Sequence, residues 1–366
     1  MTITLFRNYS TTISLTPVYS LGFAVSLFLI IQILSGFFLS MAYIAHTDIA
    51  FKAIHSYLMR DLDSGWLLRS VHANGASYFM IFMYAHMFRA LFYGSTVKSR
   101  VWLVGSLIFL LLCAISFTGY SLVWGQLSLW AVVVICSLVT AIPYIGHSLL
   151  QTIWGGSVVT TVTLQRIYSV HFLLPFVVVM LVAIHLLFLH QVNSSGELPI
   201  LWNRADRINF YPLLLVRDAF IGAIVLTAFS MNVFFYQDSL GHPDNYILAN
   251  PLVTPHEIAP EFYFLPFYAV VRAIPQKTLG IIALLFLIIS LFNFLPSSGL
   301  SIRWWNSTTS KGLFWNRALL FIFVIDLFLM SKICLMVNHY DTFYFLLIAN
   351  VAALASQDLV RAQNQR

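Results

Sequence analysis

Two pairs of histidines, His72 with His86 and His171 with His185, lie inside apolar stretches, and each pair is separated by fourteen residues. On an α-helix that interval falls about 40° short of four full turns, so both rings of a pair leave the same face, ~21 Å apart along the axis. A hydrocarbon core is ~30 Å thick, so a spanning helix would hold one ring toward each membrane surface. Two such helices running the same way set His72 level with His171, and His86 level with His185. Few folds use this pattern twice.

The rest of the chain is built for a bilayer. Of its 366 residues 60% are hydrophobic and 9% charged, with a mean hydropathy of +0.86, whereas a soluble domain carries about 25% charged residues. Apolar runs at 21–44, 71–93, 101–122, 167–190, 211–236, 277–295, 315–337 and 341–356 predict eight membrane helices. Segment 123–165 carries tryptophans, glycines and a proline, and suits helices lying at the interface. Residues 237–276, rich in proline and polar side chains, read as a loop. With eight spans both termini share a side, and most lysines and arginines fall on that side. Positive residues stay inside, so the termini face matrix or cytoplasm. The net charge of +6 thus reads as topology, with no nucleic-acid partner implied. Cys113, Cys136 and Cys334 are too few and scattered for a disulfide framework, and no CxxCH haem-attachment site exists. Residues 1–20 show no cleavable signal pattern.

One histidine in an apolar helix is more often a packing or proton-relaying group than a ligand, but two equal pairs point to metal. Each level offers two imidazoles and no carboxylate or thiolate. A zinc site wants two further ligands, while six-coordinate haem iron takes an imidazole at each axial position. Haem is a broad plate, and its neighbours must be slim. Gly22 with Gly36, and Gly105 with Gly119, repeat the fourteen-residue interval on the first and third helices. Small-residue helix packing gives single pairs of this kind; two pairs matching the histidine interval fit room made for a plate. Arg69 and Arg89, three residues from His72 and His86, suit haem propionates, although interfacial arginines also snorkel. The fold expected is therefore all-α and polytopic: a four-helix diheme bundle in residues 1–205, then four further helices in 206–366 carrying the long polar loop. Another diheme b-type membrane oxidoreductase, or a transporter with proton-relaying histidines, remains an alternative at this point.

The stretches QILSG, VHANGAS, HMFRALFYGS, FTGYSLVWGQLSLW, AIPYIG, IWGG, HFLLPF, HLLFLH, HPDNY, ANPLVTP and PEFYFLPFYAVVRAIP resemble the mitochondrial cytochrome b family, the diheme subunit of ubiquinol–cytochrome c oxidoreductase (respiratory complex III). The resemblance runs from the first helix to the sixth; the last two match in hydropathy and position only. It implies two non-covalent haem b groups. His72 and His171 would hold the low-potential one near the outer face, and His86 and His185 the high-potential one near the matrix. It implies ubiquinol oxidation at an outer site with Glu261 as proton acceptor and Tyr120, Phe264 and Tyr268 shaping the pocket. At the inner site His190 and Asp218, assisted by Ser194, would reduce ubiquinone, since a histidine and an acid can deliver two protons. Implied partners are the Rieske iron–sulfur protein, a cytochrome c-type subunit, accessory complex III subunits, a second copy of the complex, and membrane lipid. The implied location is the mitochondrial inner membrane, with both termini on the matrix side and activity only in the assembled complex. Four positions depart from the family pattern: Val123 replaces a proline, Phe262 a tryptophan, Arg217 a lysine and Ala131 a glycine. The methyl of Ala131 is expected to crowd methoxyacrylate-type inhibitors, and Val123 to set the approach to the outer pocket less rigidly than proline.

Overall fold

A computed structural model describes residues 10–12, 15–93, 95, 98–192, 194 and 207–292, with Phe321, Ile325 and Leu329 beyond them. The long helices are α1 (Leu21–Ser40), α2 (Gly65–Phe92), α3 (Ser99–Ser121), α6 (Thr161–Val192) and α7 (Leu213–Phe235). Between α3 and α6 lie two short helices, α4 (Gln126–Ser137) and α5 (Gly146–Trp154), where interfacial helices were expected. The short α8 (Leu265–Ala273) and then α9 (Lys277–Phe292) follow the polar loop. A small antiparallel ribbon pairs β1 (Ser10–Thr12) with β2 (Arg207–Asn209). The expected spans at 315–337 and 341–356, the 205/206 boundary and Cys334 lie outside the described residues.

Among the described residues four helices are long and apolar enough to cross a membrane: Pro17–Ser40, Ser99–Ser121, Thr161–Val192 and Leu213–Phe235. The α2 helix has 28 residues, enough for ~42 Å, but polar side chains dilute its hydropathy. Those side chains point inward. Ser70, Asn74 and Ser77 are buried, and Asn74 Nδ2 donates to the carbonyls of Ser70 (3.1 Å) and Gln237 (2.9 Å). Ser70 Oγ also donates to Gln237 Oε1 (3.0 Å). A buried polar group in a membrane must find a partner within the protein, and here the partners tie α2 to the end of α7. In contrast, α6 exposes Leu173, Phe176, Met180 and Leu187, a stripe at helical spacing.

Helix α1 packs along α2, and α3 along α6. Leu29, Phe79, Leu112 and Val178 each stand midway between the two glycines or two histidines of their helix, and all four are buried in one apolar cluster with Phe28, Met80 and Phe109. An apolar layer thus separates the two histidine levels.

The segment after α3 is pinned from afar. Trp124 turns the chain in the left-handed region (φ 57), and an added Cβ at Gly125 would meet the Asn245 backbone at 2.6 Å. Side chains then staple the contact. Gln126 Nε2 donates to the Val253 carbonyl (2.7 Å) while its Oε1 accepts from the Asn250 amide (2.7 Å). Asn245 Oδ1 accepts from the Ser128 amide (2.9 Å). The WGQLS and PDNY stretches, over a hundred residues apart in sequence, form one lid over the His72–His171 end of the bundle, termed the outer end.

Candidate functional site

The four notch glycines face the four histidines one to one. A Cβ built at Gly36 would stand 3.0 Å from His72 Cε1, and one at Gly22 would stand 3.3 Å from His86 Cε1. On the other pair of helices, Gly119 faces His171 at 2.5 Å and Gly105 faces His185 at 3.1 Å. Fourteen residues down one helix match fourteen up its antiparallel neighbour, so both contacts keep the same register. The glycines therefore let the histidine-bearing helix approach until the Cε1 edge of its imidazole meets the neighbour's backbone.

Across the bundle His72 and His171 meet with ring centroids 6.2 Å apart and planes at 82°. Two metal–nitrogen bonds of about 2 Å, plus the half-width of each ring, come to about 6 Å, so one iron fits between them. His86 and His185 lie within electrostatic reach of one another at the other level. Among the described residues no cluster of three His, Cys, Asp or Glu forms, so each level offers two ligands, the donor set of an axially saturated haem. The cationic groups also fit. Arg69 lines the cavity between His72 and His171 together with Gly36, Gly119 and Pro175. The Arg89 guanidinium lies 4.9 Å over the Tyr19 ring, and its Nε is buried with no hydrogen-bond partner among the described residues. A buried unpaired guanidinium nitrogen calls for an anion, and a propionate suits it.

Hydrogen bonds orient the outer rings. His171 Nδ1 lies 2.9 Å from the Ile115 carbonyl and 3.3 Å from Thr118 Oγ1. His72 Nδ1 lies 2.9 Å from Ser35 Oγ. A carbonyl only accepts, so His171 carries its proton on Nδ1 and leaves Nε2 bare for a metal. Sequence reasoning missed Ser35 and Thr118, though both immediately precede a notch glycine.

From the outer level a second cavity runs to Glu261. Its lining includes His72, His171, Tyr120, Asn245, Tyr263 and Glu261. Burial pushes the Glu261 carboxyl up to about 7, against the opposing pull of the Tyr120 hydroxyl. That hydroxyl is buried beside it without a hydrogen bond of standard geometry. A carboxyl poised near neutrality can take up a proton and release it again. Val123 lines this cavity, as expected of a residue on the approach. Phe264 packs instead against the apolar core, and Tyr268 lies on α8 under the Arg272 guanidinium, 5.9 Å from its ring centroid; neither belongs to the lining. Tyr263 supplies the aromatic wall, its carbonyl accepting from Tyr84 Oη at 2.6 Å. Ala131 is buried on α4 outside the lining, and Phe262 is partly exposed. His55, also unforeseen, lines the cavity; burial and the nearby Arg69 lower its pKa.

At the inner end Asp218 is buried near the start of α7. Ser20 Oγ donates to its Oδ1 at 2.6 Å, and Arg217 lies 3.8 Å away. Arg217 in turn donates to the Leu15 carbonyl. Ser20 had not been singled out from the sequence. His190 is exposed in the last turn of α6, five residues beyond His185, and Ser194 is half-buried just past the helix end.

Comparison with known proteins identifies the family. The family model described as cytochrome b/b6/petB matches residues 6–193, and that described as cytochrome b(C-terminal)/b6/petD matches 248–355. Cytochrome b of Chondrus crispus is 47% identical over 292 residues, covering 79% of this chain and 76% of the relative. Cytochrome b of Candida albicans is 46% identical over 291 residues, covering 79% and 74%. A chain of a solved hyperthermophilic respiratory complex III superposes with a TM-score of 0.85 at 30% identity, covering 97% of this chain and 93% of that one. The chain belongs to the cytochrome b family, the b-haem-binding electron-transfer subunit of respiratory complex III.

Proposed function

We propose that the chain oxidises ubiquinol at its outer end and reduces ubiquinone at its inner end, and thereby helps build a proton gradient. The observation that carries this reading is the single cavity joining the His72–His171 level to Glu261. Each histidine pair would hold one b-type haem, with Arg69 and Arg89 for the propionates. When bound, the haems supply two one-electron centres, one on each side of the apolar layer. The chain's own residues do the rest. Glu261, with its raised pKa, accepts a proton from quinol; Tyr120 and Tyr263 wall the cavity, and Phe264 and Tyr268 brace the segment that carries Glu261. At the inner end Asp218, oriented by Ser20, works with His190 and Ser194 to deliver protons to quinone.

The family assignment supports the wider setting. The chain crosses the mitochondrial inner membrane eight times, with both termini on the matrix side as the positive-inside bias favours. Residues 1–205 form the diheme-binding half, and residues 206–366 the half that brings the outer loop. Turnover needs the assembled homodimeric complex, in which the Rieske iron–sulfur protein takes one electron from quinol and a cytochrome c-type subunit receives it, with accessory subunits and lipid around them. A redox titration of the reduced-minus-oxidised spectrum of the complex tests the reading. Two b-type components of unequal potential are expected, and a single component or none would sink it.

A further inference from the structure

The outer and inner notches differ at a position that the interval of fourteen does not explain. The residue before each outer glycine carries a hydroxyl, Ser35 before Gly36 and Thr118 before Gly119; Leu21 and Val104 stand before the inner glycines. Both hydroxyls have already committed their proton within their own helix. Ser35 Oγ donates to the Ile31 carbonyl at 2.6 Å, and Thr118 Oγ1 to that of Ala114 at 2.7 Å. A hydroxyl has one proton and two lone pairs, so toward the histidines each can only accept. Both outer imidazoles are thus Nδ1–H donors, with His171 giving its main bond to the Ile115 carbonyl. At the inner level no hydroxyl precedes either glycine. His185 Nδ1 is set toward the Val101 carbonyl, as His171 Nδ1 is toward that of Ile115, and the Arg89 guanidinium stands 3.4 Å from His86 Nδ1.

We propose that Ser35, seconded by Thr118, is a positioning residue that makes the outer centre the more reducing of the two. The proposal rests on the two-haem reading of the site. A donor bond from Nδ1–H leaves more electron density on the ring and makes Nε2 the stronger base toward a metal, which favours the higher oxidation state. Electrons placed on the outer level then run downhill to the inner one, and the direction follows from which glycines are preceded by hydroxyls.

The test is Ser35→Ala in the assembled complex, read by redox titration of the two b-type absorbances and by the low-temperature EPR of each centre. The outer component is identified by its loss in His72→Ala. Its midpoint is expected to rise, so that the preference of the electron for the inner centre falls roughly three- to tenfold, at about 59 mV per tenfold for one electron. The inner midpoint stays in place. Ser35→Thr keeps the acceptor and restores the outer midpoint. Thr118→Val gives a smaller rise, because the Ile115 carbonyl remains. Where Ser35→Ala assembles without the outer component, Ser35→Cys, a weaker acceptor of similar size, carries the same test. An unmoved outer midpoint, or equal shifts of both, overturns the inference alone. A wild-type complex with one b-type component overturns the two-haem reading and this inference with it.

Discussion

The outer and inner histidine levels are cut to one pattern and furnished differently. Both rely on a glycine facing a histidine across an antiparallel pair. At the outer level the glycine contacts are tighter, 2.5 and 3.0 Å against 3.1 and 3.3 Å, the rings are held by hydroxyl and carbonyl acceptors, and the cavity opens toward Glu261. At the inner level no hydroxyl precedes the facing glycines, and the acid within reach of that end, Asp218, accepts a hydrogen bond from Ser20. The backbone interval decides where a redox centre sits. Its immediate neighbours decide what that centre and its substrate can do.

The sharpest way to break this comparison is to remove one level at a time. His72→Ala and His86→Ala are each expected to abolish a different b-type component in the redox-resolved spectrum, since one imidazole cannot saturate both axial positions. If either change erased both components, or neither, the two levels would not be separate sites.

Next in size is the chemistry of the outer end. With Glu261 held at about 7, the proton-accepting carboxylate is scarce below neutrality and abundant above it. Quinol oxidation should therefore rise with pH through about 7. Glu261→Gln should flatten that limb and slow the reaction on the order of 10²-fold, leaving both haem spectra intact. A wild-type rate that does not change across neutrality would count against Glu261.

The notches are expected to differ in tolerance. Gly119→Ala should deplete the outer component strongly, because the new methyl meets His171 at 2.5 Å with the helix backbone behind it; overpacking of this kind costs about 1–3 kcal/mol. Gly22→Ala, at 3.3 Å from His86, should leave most of the inner component in place. Haem content per complex measures both, and equal losses would show that the outer level is not the tighter one.

Smallest is the inner acid. Ser20→Ala removes a hydrogen bond to a buried carboxylate, worth about 1.5–3 kcal/mol, and should slow quinone reduction several-fold with quinol oxidation unchanged at early times. Flash-induced kinetics of the inner component separate the two, and an unaltered re-oxidation rate would remove Ser20 from the site.

Much of this was legible in the residues, because the strongest constraints repeat. Histidine and glycine at one interval on four helices leave little choice of face, neighbour or depth, and the structure pairs them as that interval requires. The hydroxyls were hidden by their own chemistry. A serine or threonine in an apolar helix usually bonds the carbonyl a turn before it, and Ser35 and Thr118 do so; that a lone pair is left for a neighbouring helix becomes visible only once the helices dock. The outer pocket was harder still. Its wall is Tyr263 rather than Phe264 or Tyr268 because the short turn Phe262–Phe264 precedes α8 and changes which aromatic faces inward. Asn245 meets Ser128, and Gln126 meets Asn250 and Val253, across a loop that no periodicity describes.

The shared register of the glycine and histidine contacts also bears on how such a chain can change over time. One residue added between Gly22 and Gly36 would turn one notch about 100° away from its histidine and slide it ~1.5 Å, while the other notch stayed in place. No compensating shift of the whole helix could restore both. The four segments between the levels are therefore free to exchange one apolar side chain for another but not to lengthen or shorten, and surviving insertions or deletions should be confined to the loops and to the ends beyond the rings.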